Sequence, residues 1–101
     1  MIRHIVSFQL RAEDPELRAQ HVRELTTRLE GLVDVAPGIL SIRVHPDLGL
    51  SHGHWPLILV SEFESLDSLE TYLAHPRHVE VVDWANDGIV SERAIVDFDL
   101  A

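Results

Sequence analysis

The residues best suited to chemistry gather between Thr71 and Trp84, TYLAHPRHVEVVDW, which holds the chain's only tyrosine and two of its seven histidines. Tyr72, His75 and His78 surround one proline. Imidazole changes charge near neutral pH, and a phenol can polarise a carbonyl oxygen, so this grouping suits proton transfer. What the chain lacks points the same way. It has no cysteine, which removes thiol nucleophiles, disulfides and thiolate metal sites. All eight basic residues are arginine, so no lysine can form a Schiff base. No glycine-rich phosphate loop occurs. Carboxylates, histidines, hydroxyls and one phenol remain.

Each candidate also has an ordinary structural reading. His4 stands among Ile2, Val6 and Phe8 and could be a core histidine satisfied by one hydrogen bond. His78 shares a helical face with Val82 and Ala85, so it should point inward as well. Two inward histidines in one small core suggest joint use more strongly than one would. Tyr72 could be a packing aromatic whose hydroxyl is bonded locally. His75, directly before Pro76, is expected to cap or brace the break. His52 and His54, with His45 nearby, have a spacing found in some metal sites, but no carboxylate completes a ligand set. A solvated loop or a lip over a pocket is the expectation there, with no metal and no cofactor. Glu62, Glu64, Asp83, Asp97 and Asp99 form no paired-carboxylate pattern and are assigned mostly to a charged outer surface.

The elements that must position these groups follow from periodicity. Residues 2–10 alternate, with Ile2, His4, Val6, Phe8 and Leu10 on one face, as in a strand. Asp14-Pro15 starts a helix whose stripe of Val22, Leu25, Leu29 and Leu32 runs to about Val33. Ala36-Pro37-Gly38 breaks the chain before a strand over 39–45. DLGLSHGH is a loop, and residues 57–63, LILVSEF, make the clearest strand. Ser65 caps a short helix presenting Leu66, Leu69 and Tyr72 or Leu73. Pro76 restarts a helix showing His78, Val81, Val82 and Ala85, which Gly88 ends. A last strand covers residues 93–100. The order β-α-β-β-α-β predicts one α+β domain over 1–101 of ferredoxin-like type, the split βαβ arrangement.

Composition bounds the partners. A chain of 101 residues with 46% hydrophobic content and mean hydropathy +0.05 fits one small globular domain. The formal charge of −9 repels phosphate backbones and anionic lipid, so neither nucleic acid nor membrane is expected. No stretch approaches the roughly 20 apolar residues of a membrane helix. The alternating N-terminus lacks a signal peptide's apolar core, which predicts a cytoplasmic location. Ile58 and Val60 lie opposite Leu57, Leu59 and Phe63 on the third strand. Two short helical segments cover only one face of a four-stranded sheet. The other face, with Ile5, Ile58 and Val60, therefore predicts a homodimer.

Several segments together resemble the stress-responsive dimeric α/β-barrel domain family. They are Arg3-His4-Ile5-Val6-Ser7-Phe8, Phe63-Glu64-Ser65, Tyr72-Leu73-Ala74-His75-Pro76-Arg77-His78-Val79 and Val96-Asp97-Phe98. The resemblance spans essentially the whole chain and implies two subunits whose antiparallel sheets face each other as a barrel, with helices outside. The family includes stress-induced proteins and a plant polyketide cyclase that works without a metal. His4, Tyr72 and His78 match that cyclase's first-strand histidine, helix tyrosine and post-proline histidine. Leu57 and Leu29 replace a histidine and a tyrosine of the cyclase, which makes the implied pocket more apolar. The resemblance implies a cofactor-independent enzyme of cyclase or lyase kind acting on an apolar carbonyl or polyketide-like compound. His78 would be the base, Tyr72 and His4 would hold the oxygen, and Phe8, Leu29, Leu57, Leu59 and Val82 would contact the substrate. A non-catalytic dimer that binds a small apolar ligand or serves in stress response is the alternative. A cofactor-free oxygenase is a second, by analogy with related dimeric barrels.

Overall fold

The computed structural model describes residues 1–100 and contains four strands and three helices in one α+β unit. The order is β1 (Ile2–Leu10), α1 (Pro15–Glu30), β2 (Ile39–Pro46), β3 (Leu57–Phe63), α2 (Leu66–Ala74), α3 (Pro76–Asn86) and β4 (Val90–Asp99). The strands form one antiparallel sheet ordered β2-β3-β1-β4, which is the ferredoxin-like arrangement. Alternation on β1 places His4, Val6, Phe8 and Leu10 in the core, and Leu57, Leu59, Ser61 and Phe63 do the same on β3.

Helix α1 begins where expected. The Asp14 carboxylate accepts the Leu17 N–H at 3.0 Å, and Pro15 occupies the first turn. The helix ends at Glu30, earlier than the apolar stripe suggests. Gly31 is a poor helix former, and the chain tightens there into i→i+3 bonds, with the Leu32 N–H donating to the Leu29 carbonyl at 3.1 Å. Leu32 still faces the core. At the far end, β4 starts at Val90 rather than 93, because Val90 is buried and pairs with Leu10 across a shift in register.

The break between α2 and α3 is one residue wide. His75 ends α2 and caps α3, with extended backbone (φ −65°, ψ 134°), as the residue before a proline prefers. Its Nδ1 accepts the Arg77 N–H at 3.1 Å. His75 thus has the bracing role expected of it.

The helices leave β4 partly uncovered. Its Ile95 and Val96, which point to opposite faces, are 53% and 60% exposed. On the sheet face away from the helices, Val60, Ile5 and Val96 stand in one row across three strands. Ile5, Ile58 and Val60 are each half-buried in the single subunit. Among the described residues, no helix is long and apolar enough to cross a membrane.

Candidate functional site

Ending α2 at His75 has a chemical consequence. Carbonyls in the last turn of a helix lose their intrahelical donors, and Pro76 ensures that α2 cannot continue. The Arg77 N–H is taken by His75. The Leu73 carbonyl is instead met by the imidazole of His78, whose Nδ1–H donates to it at 3.0 Å. This bond selects the tautomer: Nδ1 carries the proton and Nε2 keeps its lone pair. The His-Pro-x-His spacing thereby frees a carbonyl and supplies the side chain that binds it.

Burial lowers the pKa of His78 below its ordinary 6.5; the Leu73 carbonyl opposes this shift, and the charges of His4 and Arg93 add to it. The imidazole is therefore held neutral with an available lone pair.

His4 reaches the same space from the sheet. It is buried on β1 beside β4, and its Nδ1–H donates to the Asp97 carboxylate at 2.5 Å. The strand register places Asp97 directly opposite it. The carboxylate fixes the ring and leaves Nε2 for other work. Asp97 is exposed, as expected of most of the acids, and in addition holds His4. Nothing in its own stretch of sequence signals this, because the pairing joins residues at opposite ends of the chain.

A cavity of about 90 Å³ lies between α1, α3 and the inner face of the sheet. His4 and His78 both line it, along with Phe8, Leu29, Leu59 and Val82, four of the five residues expected at a substrate. Leu57 is buried outside it. Leu57 pairs with Phe8 and Leu59 with Val6, and of the two leucines Leu59 lines the cavity.

Tyr72 also differs from its expected place. It is fully buried and not part of the cavity wall. Its ring packs between Phe63 and His78, with centroids 5.2 and 4.6 Å away. Its hydroxyl has no hydrogen-bond partner among the described residues, and burial pushes its pKa far upward. The phenol thus braces His78 from behind. Arg93, which the sequence did not single out, lines the cavity as its cationic member.

The remaining histidines lie elsewhere. His54 bonds Asp47 at 3.2 Å and Ser51 at 3.0 Å in the β2–β3 loop, and His52 is exposed in the same loop. His45 and His54 line a broader hollow of about 390 Å³, which also takes in Ser7 and Ile58 on the opposite sheet face. That hollow is larger, but neither His4 nor His78 reaches it. Among the described residues, no group of three or more histidines and acids is placed to hold a metal ion.

Comparison with known proteins adds family and fold. The model of the stress responsive A/B barrel domain matches residues 2–100. A search of the curated proteins found no match. A solved structure from Bacteroides fragilis, described as a dimeric protein of ferredoxin-like fold, is 30% identical with TM-score 0.83, covering 98% of this chain and 95% of its own. A dimeric ferredoxin-like protein from Thermobifida fusca is 26% identical with TM-score 0.81, covering 98% and 90%. A Dabb family protein from Mesorhizobium loti shares the fold at 19% identity and TM-score 0.77, covering 99% and 96%.

Proposed function

Because the chain belongs to the stress-responsive A/B barrel domain family, whose architecture alone does not define a reaction, we propose from its site that it is a small acid–base enzyme. Its substrate would be an apolar carbonyl compound, and its reaction of the cyclase or lyase kind, without a cofactor. The observation that carries this reading is the fixed tautomer of His78. Its Nδ1 is committed to Leu73, and its neutral Nε2 shares an apolar cavity with His4.

His78 Nε2 removes a proton from the carbon next to a carbonyl. The C–H electrons move into the carbonyl, whose oxygen becomes an enolate. In its protonated form, with the charge balanced by Asp97, His4 presents an Nε2–H to that oxygen, where negative charge develops. The enolate carbon then attacks a second carbonyl of the same chain. His78 returns its proton to the new alkoxide, and atoms and charge balance over the step. Tyr72 acts here as a positioning residue, its ring holding the His78 imidazole in place. Leu59, Leu29 and Val82 keep the space apolar, which strengthens each polar contact inside it.

The working unit is proposed to be a homodimer. The row of Val60, Ile5 and Val96 on the helix-free face is apolar enough to receive an identical sheet. Similar proteins of this fold are described as dimeric.

The test is hydrogen–deuterium exchange at the carbons flanking the carbonyl of 2-hexanone in D2O, followed by proton NMR. The protein should accelerate exchange over buffer. His78→Ala should remove the acceleration by about 10²–10⁴-fold, the usual contribution of a positioned base, with the fold intact by circular dichroism. No acceleration by the wild-type protein would favour a ligand-binding dimer instead.

A further inference from the structure

The cavity's one guanidinium needs a reason for being there. Arg93 lies on β4 opposite Phe8, with its Cζ 6.0 Å from the ring centroid. Its Nη2 donates to the neutral Asn86 Oδ1 at 2.5 Å, near the C-terminal end of α3. No carboxylate lies within ion-pair distance of it among the described residues. That is notable in a chain with 17 acidic residues against eight basic ones. Asp97 shares its face of β4, but four residues on, about 13 Å along the strand, and is engaged by His4. Glu92, next in sequence, alternates to the other face. Asn86 occupies only part of the N–H fork, so donors suited to a planar anion are left over.

The cation and the imidazole sit toward opposite ends of one helix. His78 is in the first turn of α3 and Asn86 at its last residue, a rise of about 12 Å. Between them run Val81, Val82 and Ala85, all on the cavity wall. An apolar space with a base toward one end of its helical wall and a guanidinium without a carboxylate partner toward the other discriminates among ligands.

We propose that Arg93 is the anion-binding end of this cavity, so that the substrate is an acyl chain bearing a carboxylate several bonds from the carbonyl offered to His78. The proposal rests on the reading of the cavity as the reacting site and adds the substrate's charge and polarity. Arg93 would hold the carboxylate by charge-assisted hydrogen bonds and set which end of the chain faces the histidines.

Calorimetric titration with hexanoate and its neutral isostere hexanamide tests this without any turnover. The wild-type protein should bind hexanoate about tenfold or more tightly than hexanamide, the scale of one charge-assisted contact. Arg93→Gln should erase that preference while leaving hexanamide binding within about twofold. Arg93→Lys, which keeps the charge, should retain part of it, and His78→Gln should keep it whole. Equal binding of acid and amide by the wild type, or no hexanoate binding at millimolar concentration, would overturn the proposal even if no variant folded. Binding is read separately from exchange into 2-hexanone. A failure of the catalytic reading would appear there, with the carboxylate preference intact.

Discussion

At the scale of single residues, the site depends on how two imidazoles are held. His4 takes its orientation from Asp97 and His78 from the Leu73 carbonyl. That both histidines point inward was legible in the sequence, since His4 follows the alternation of Val6 and Phe8 and His78 lies one turn before Val82. The partner of His4 was not, because local periodicity carries no information on the register between β1 and β4. Tyr72 is a similar case: its buried face could be read, but its position behind His78 depends on how α2 meets the core. The hydroxyl has no partner among the described residues, and an unsatisfied buried hydroxyl costs about 1–3 kcal/mol. Tyr72→Phe keeps the ring against His78 and removes that cost. It should raise the melting temperature by several degrees, at about 4–8 °C per kcal/mol for a domain this size, and leave exchange within about threefold of wild type. A lower melting temperature in calorimetry would mean that the hydroxyl has a partner in solution.

At the scale of elements, the site depends on where α2 stops and on what fixes its start. Proline placed the stop, and Ser65 marked the start, where its Oγ accepts the Ser68 N–H at 3.2 Å. The sequence marked Gly38 only as a chain break. In the structure Gly38 locks the loop before β2 onto that start. Its φ is +85°, its carbonyl accepts the Glu64 N–H at 2.9 Å, and an added Cβ would lie 2.1 Å from Ser68 Oγ. Only glycine fits both the backbone and the space. Gly38→Ala should therefore destabilise the protein by about 1–3 kcal/mol, the range for a left-handed position with added strain. Urea denaturation would measure it, and an unchanged midpoint would show that the loop moves freely from α2. The ends of α1 and the start of β4 were less legible than their existence. Gly31 halts the helix while its apolar stripe continues to Leu32, and Val90 joins the sheet through its pairing with Leu10.

At the scale of the whole molecule, the helices cover one face of the sheet and leave the other, where the dimer interface is proposed. The expectation of a partner came from β3 alone, where Ile58 and Val60 oppose Leu57 and Leu59. The contribution of β4 was not legible, since Val96 joins their row only through the sheet order. Val60→Arg would bury an unpaired charge at the centre of the proposed interface, a penalty of several kcal/mol. Sedimentation should find a wild-type dimer at micromolar concentration and a largely monomeric variant. A monomeric wild type would refute the assembly. The central claim is that a neutral His78 acts as the base within this fold, and the pH dependence of deuterium exchange into 2-hexanone tests it most directly. The neutral form is active and burial lowers the pKa of His78. The enzyme-catalysed rate should thus fall on the acid side with a midpoint below 6.5, and His78→Ala should abolish that limb. A midpoint above 6.5, or an acid limb that survives the substitution, would contradict it.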